Sequence, residues 1–300
     1  MKTISILFLF VFAVFTTMQS QSRSYIKRIE KLNEYASFYE KLNPFDEHTK
    51  LSDLKLSKKD TKEIKSDENE VFLTTNKDVA DTYTLIYFLQ DKMENLINEI
   101  THHKDFTQYD ITKLIDFETI HIAKSNDNKL FNFTFDEKTG GTYRSQISIM
   151  HYVYEKELNY DLFSVDGYYD IKTINSSEGT KYILIGSVQG CSSCFEEHIS
   201  LVTFKNNAFT SDFEYSINYR DGETANLSYD DIYQTITANY ITDDLTYECY
   251  CENELDTNPD SVYNSNVVAE NLNQKKCSCV FIFNGTTFKV NKGSFEIITN

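Results

Sequence analysis

Six cysteines, all beyond Gly190 and all in close pairs, are the residues whose type and spacing could do chemistry: Cys191 with Cys194, Cys249 with Cys251, Cys277 with Cys279. An even number of thiols reads first as disulfides in an oxidising compartment, where six cysteines allow 15 connectivities. Spacing narrows the choice. In a strand, residues two apart share a face, so each C-x-C pair points one way. Antiparallel pairing opposes residues whose numbers have a constant sum, and one such register sets Cys249 against Cys279 and Cys251 against Cys277. Opposed Cα atoms in a non-hydrogen-bonded pair lie about 4.5 Å apart, within disulfide range. The expectation is two stacked bridges clamping the hydrophilic loop from Glu252 to Lys276.

The remaining pair, in Gly190-Cys-Ser-Ser-Cys194, follows a strongly apolar strand and can close on itself as a bridge in a turn. C-x-x-C bridges can also exchange with thiols. A thioredoxin-like site, however, needs a helix straight after the motif and a facing proline. Here His198 to Phe204 reads as strand, and the only later proline is Pro259. Haem attachment needs His after the second cysteine, where Phe195 stands. The sharper competitor is metal: Cys191, Cys194 and His198 with one C-x-C pair could surround zinc, and C-x-C thiolates suit Cu(I). Oxidation competes with thiolate ligation outside the cytosol.

Other constellations carry less. Asp256-Thr-Asn-Pro-Asp260 begins like a calcium loop but has Ser261 where Gly belongs and Val267 where Glu belongs, so a solvated loop is expected. His102 and His103 point to different sides of a helix end. His121 and His151 fall in strands, where a satisfied, partly buried imidazole is the ordinary outcome. There is no G-x-S-x-G elbow, P-loop or G-x-G-x-x-G, and no H-E-x-x-H pair. Paired carboxylates for glycoside cleavage have no sequence spacing to read.

Two sets of elements must position these residues. Tyr25, Ile29, Leu32, Ala36 and Tyr39 recur at spacings of three and four, which predicts a helix ended by Pro44. A charged stretch from Lys50 to Glu70 reads as a linker or solvated loop. Asn76 is the expected cap of a second helix carrying Val79, Tyr83, Ile86, Leu89, Met93, Leu96 and Ile100, with His102 and His103 at its negative end. From Thr119 the pattern changes to short β-branched and aromatic runs broken by Asn, Asp and Gly. Strands are predicted at 119–123, 130–135, 147–154, 168–174, 182–188, 199–204, 232–240 and 280–283. Turns fall at 126–128, Gly140-Gly141, Asp166-Gly167, Asn206-Asn207, Asp221-Gly222 and Asn284-Gly285. The last predicts a type I′ hairpin, because Phe281, Phe283, Phe288 and Val290 flank it in alternation. The glycines of Thr139-Gly-Gly-Thr142 are expected to serve a tight bend between strands, although backbone N–H groups there could face an anion. The fold class is therefore α+β, mainly β: N-terminal amphipathic helices, then antiparallel strands in a sandwich-like or propeller-like arrangement.

The stretch from Ile120 to Tyr152, with Ser125-Asn-Asp-Asn-Lys-Leu between two strands and Asp136-Glu-Lys-Thr-Gly-Gly-Thr142 before a third, resembles a group of uncharacterised exported bacterial proteins. In them a similar D-x-x-T-G-G-T turn follows a similar hairpin. The resemblance covers about a third of the chain and implies export and a β-rich fold. It brings no activity, and the cysteine pairs are not part of its pattern.

Export also follows from Lys2, the apolar run Ile4 to Phe15 and the small, polar run Thr16 to Ser22, which have the order of a cleaved signal. The run is too short to span a bilayer, and no cysteine follows it to carry a lipid. The expected organisation is a signal at 1–22, a helical region at 23–115 with its charged linker at 50–70, and a β-rich, cysteine-containing domain at 116–300. With 46 acidic against 29 basic residues the net charge is −17, which repels nucleic acid. Tyr and Phe are abundant, but Trp, the usual sugar-stacking side chain, is absent. The functional expectation is a noncatalytic, disulfide-stapled binding or structural domain, periplasmic or secreted, without a cofactor and with an extracytoplasmic ligand or protein as partner. The alternative is thiol-dependent redox exchange or soft-metal (Zn or Cu) binding at the cysteine pairs.

Overall fold

The structure, a computed structural model, describes residues 23–66, 78–115, 118–154, 157–163, 167–205, 208–223, 225–242, 249, 251 and 274–298. The signal segment, Asn76, Asp166, the Asn206-Asn207 turn and the Asp256 to Asp260 loop lie outside them. The chain divides into two compact units, one of Met1–Ile122 with Glu137–Gly140, the other of Ala123–Asp136 and Gly141–Asn300.

In the first unit, α1 (23–40) buries Tyr25, Ile29, Leu32, Ala36 and Tyr39, the face its spacing predicts, and stops ahead of Pro44. The described part of the expected linker, 50–66, is folded instead. It begins at the end of β1 (His48–Lys50) and contains α2 (Leu51–Leu54) and α3 (Lys58–Ile64), and β1 pairs antiparallel with β2 (Val79–Asp81). Three apolar side chains, Leu51, Leu54 and Ile64, are buried there, which is enough to dock helices this short despite the charge around them. Ser57 caps α3 by accepting from the Asp60 N–H at 3.2 Å. Asp60 is itself buried and accepts from Tyr35 (2.7 Å), Lys31 (2.9 Å) and Ser57 (2.6 Å). Burial alone would raise its pKa, but these three donors outweigh it and hold the carboxyl below its ordinary value.

Helix α4 (Thr82–Thr101) begins later than its periodicity predicts, because Val79 is taken into β2. Its cap is Asp81, whose carboxylate accepts from the Thr84 N–H at 2.7 Å. Leu85, Ile86, Leu89, Met93, Ile97 and Ile100 form the buried stripe, whereas Tyr83 is 40% exposed. The residues of the Thr139-Gly-Gly-Thr142 motif up to Gly140 belong with this unit. Lys138, at φ 55°, donates to Leu42 O at 2.6 Å, and Gln90 donates to Glu137 O at 2.7 Å. The expected tight bend is therefore part of a longer connection, residues 137–145, since strand pairing ends at Asp136 with Gln146.

Three four-stranded antiparallel sheets, each a meander in chain order, make up the second unit, apart from His121 and Ile122, the first two residues of the first sheet. The first contains β3 (His121–Lys124), β4 (Leu130–Asp136), β5 (Gln146–Tyr154) and β6 (Glu157–Phe163). The second contains β7 (Tyr168–Ser176), β8 (Gly179–Gln189), β9 (Cys194–Lys205) and β10 (Ala208–Arg220). The third contains β11 (Asn226–Asp230), β12 (Thr235–Thr242), β13 (Gln274–Phe283) and β14 (Phe288–Ile298). The second sheet is a middle layer. Ile183, Ile199, Leu201, Phe213 and Tyr215 pack with Ile236, Tyr240, Phe281 and Phe288 of the third sheet. The alternate residues Tyr182, Leu184 and Val202 pack with Leu130, Met150 and Tyr152 of the first. A strand covered on both faces needs apolar residues at every position, which explains the unbroken run in β8. Among the described residues the structure is mainly β, with four antiparallel sheets counting the β1–β2 pair and no closed barrel, and a sandwich fits it.

At the end of the third sheet the Asn284-Gly285 turn differs from the two-residue expectation. Phe283 pairs with Phe288 across a four-residue loop. Gly285 takes φ 98°, and the Asn284 carboxamide oxygen accepts from the N–H groups of Thr286 and Thr287, both at 3.0 Å.

Candidate functional site

The Cys191–Cys194 pair sits at the tip of the β8–β9 hairpin and forms a disulfide, with Cα atoms 4.7 Å apart. Gly190 N–H donates to Cys194 O at 2.9 Å, and Asp221 N–H donates to Ser193 O at 2.8 Å, so the tip is held from both sides. Gln189 donates to Cys191 O at 2.9 Å, and Ser193 N–H points at Cys191 Sγ at 3.4 Å. Both half-cystines are partly exposed. Strand β9 follows directly, as expected from His198 to Phe204.

His198 does not join them. It shares a strand face with Cys194 but stands four residues further along β9, about 13 Å at strand rise. Its ring is buried, edge-on to Tyr168 at 5.3 Å, over Gly186, its cross-strand partner, where an added Cβ would collide with the imidazole. The proposed metal set of Cys191, Cys194 and His198 is thus not assembled: two sulfurs are bonded to each other and the imidazole is out of reach. Among the described residues no group of three or more His, Cys, Asp or Glu could hold a metal ion.

The other four cysteines form two bridges with exchanged partners: Cys249–Cys277 and Cys251–Cys279, with Cα separations of 5.6 and 5.2 Å. The expected Cys249–Cys279 and Cys251–Cys277 bridges required the first C-x-C segment to pair with β13 as a strand. Both edges of β13 are already taken, by β12 and by β14. The segment lies instead across the sheet's inner face, with Cys251 N–H donating to Cys249 O at 2.7 Å, a bond that an extended strand does not make. Cys277 and Cys279 point inward and are fully buried, so their partners reach them from above the sheet. Both bridges span 28 residues, a constant difference where antiparallel pairing demands a constant sum.

Gly293 makes room for this ladder. It faces Cys279 across β13–β14, and a Cβ there would lie 2.8 Å from Cys251 Sγ. Tyr215 OH lies 3.6 Å from Cys279 Sγ, and burial, with Tyr240 nearby, pushes its pKa well above the ordinary tyrosine value. Neither Gly293 nor Tyr215 has a local sequence signal, because their roles come from cross-strand register and sheet stacking.

The histidines divide. His151 is fully buried in β5, whereas His121, expected to be partly buried, is exposed. His102 closes α4 by donating its N–H to Asn98 O at 3.1 Å. No described helix is long and apolar enough to cross a membrane. No protein family, curated protein or solved structure matches the chain.

Proposed function

We propose that the chain is an exported, noncatalytic β module, binding or structural, whose C-terminal sheets are fastened by disulfides and which works in the periplasm or outside the cell. The observation that carries this reading is the double bridge in the third sheet: four sulfurs sit in or against an apolar core and fix a chain segment over β13. Such bonds persist in oxidising compartments and are uncommon in the cytosol. The apolar run near the N-terminus and the resemblance of the Asp136 to Thr142 motif to exported proteins support the same location.

A second reading, thiol exchange, has one specific observation in its favour. The Cys191–Cys194 bridge is partly exposed, and the Ser193 N–H at Cys191 Sγ would stabilise a thiolate there on reduction. The test is to fractionate producing cells and to alkylate the protein in denaturant, without reductant, from each fraction. The first reading predicts extracytoplasmic protein with all six sulfurs unlabelled. Free thiols confined to Cys191 and Cys194 would favour exchange, and cytoplasmic protein with six free thiols would overturn both.

A further inference from the structure

Lys181 is a buried amine of the second unit whose acidic partners reach solvent, Asp212 being 28% and Glu178 62% exposed. Lys181 of β8 is 2% exposed, and its Nζ lies 3.0 Å from Asp212 Oδ2, 2.9 Å from Glu178 Oε2 and 2.8 Å from Thr286 O. Asp212 occupies the bulge of β10, between Ser211 and Phe213, so its side chain is turned out of the regular alternation. Thr203 on the intervening strand donates to Asp212 Oδ2, and Thr287 donates to Asp212 O at 2.8 Å. Sequence gives no hint of this cluster, whose members are spread from Glu178 to Thr287.

We propose that Lys181 and Asp212 join in an intramolecular isopeptide bond, Nζ to Cγ, with Glu178 as proton carrier. The pair starts as ammonium and carboxylate. A proton moves from Nζ to the Asp212 carboxyl, giving a neutral amine facing a neutral acid. The amine attacks Cγ and charge develops on Oδ1, while the Thr203 hydroxyl holds Oδ2, the oxygen that took the proton and leaves. Glu178 takes one of the two protons left on nitrogen, the amide keeping the other, and delivers one to the departing hydroxyl. One C–N bond forms, one C–O bond breaks, and one water leaves, so no oxidant or cofactor enters. Contact distance and a fixed orientation supply what the reaction lacks in solution, where amine and acid do not condense. The bond ties β8 to β10 across β9 and anchors the long edge strand of the middle sheet.

This proposal is independent of the disulfide reading, and its test uses the whole protein as purified, fully reduced and unfolded. The expected result is a mass lighter than the sum of its residues by one water, and a digest containing a branched peptide that joins Lys181 to Asp212. Lys181→Arg and Asp212→Ala each restore the full mass, and Glu178→Gln leaves the bond largely unformed. Full mass in the wild-type protein, without a branched peptide, overturns the proposal whether or not the variants fold. A water lost elsewhere, as by succinimide formation at Asp221, would persist in Lys181→Arg without a branched peptide and would overturn it equally.

Discussion

The hairpin-tip bridge and the double bridge of the third sheet are the same covalent bond in two physical settings. Cys191–Cys194 spans three residues in a partly exposed turn already closed by backbone hydrogen bonds. The Cys249 and Cys251 bridges each span 28 residues and end on a buried strand face. In the chain-entropy account, closing the longer loop removes about 3.6 kcal/mol of unfolded-state freedom and closing the short one about 1.6 kcal/mol. The second rung of the ladder adds little closure, since the first already joins its ends, and mainly fixes the segment's orientation. Cysteine spacing therefore separates two roles: a distant pair holds a sheet together, and a near pair shapes a turn.

The comparison can be broken most forcefully by removing both rungs. Cys249→Ser with Cys251→Ser, Cys277→Ser and Cys279→Ser should lower the free energy of unfolding by about 4 kcal/mol, read from urea midpoints. Gly293→Ala keeps both bridges yet sets a methyl against Cys251 Sγ, and should cost about 1–3 kcal/mol by overpacking. The paired Cys191→Ser and Cys194→Ser change should cost no more than about 1.6 kcal/mol. A loss as large as that of the ladder would remove the distinction. A dithiol reductant, applied to the folded protein, should open Cys191–Cys194 first, with the label found on those two residues alone.

Acid provides the smallest effect and a control outside the bridged sheets. The Asp60 carboxyl is held below its ordinary value of 3.8, so its contribution is present above that pH and fades as pH falls through the lower, folded value. Melting followed below about pH 4 should show this loss equally in the wild-type and bridge-free chains. Asp60→Asn should remove it.

Much of the fold was legible where side-chain periodicity is local. The face of α1 and the apolar run of β8 report directly which surfaces are covered. Strands β10 and β11 were missed although Phe213, Tyr215 and Ile217 alternate with polar residues in β10, the period of a half-buried edge strand; the Ser, Asp and Glu content of these segments masked that period. Residues 50–66 misled because composition weighs every charge, whereas docking depended on Leu51, Leu54 and Ile64. At the candidate site, identity and stacking of the cysteine pairs followed from spacing, but partner choice did not. That choice depends on β14 occupying the second edge of β13, a non-local fact that no spacing between cysteines carries.

The most direct test of the ladder uses Cys249→Ser, alkylated in denaturant without reductant and sequenced by fragmentation through Cys277-Ser-Cys279. The structure predicts label on Cys277, with Cys279 still bridged to Cys251. Label on Cys279, with Cys277 bridged to Cys251, would mean that the segment pairs as an antiparallel strand after all and would contradict the arrangement described.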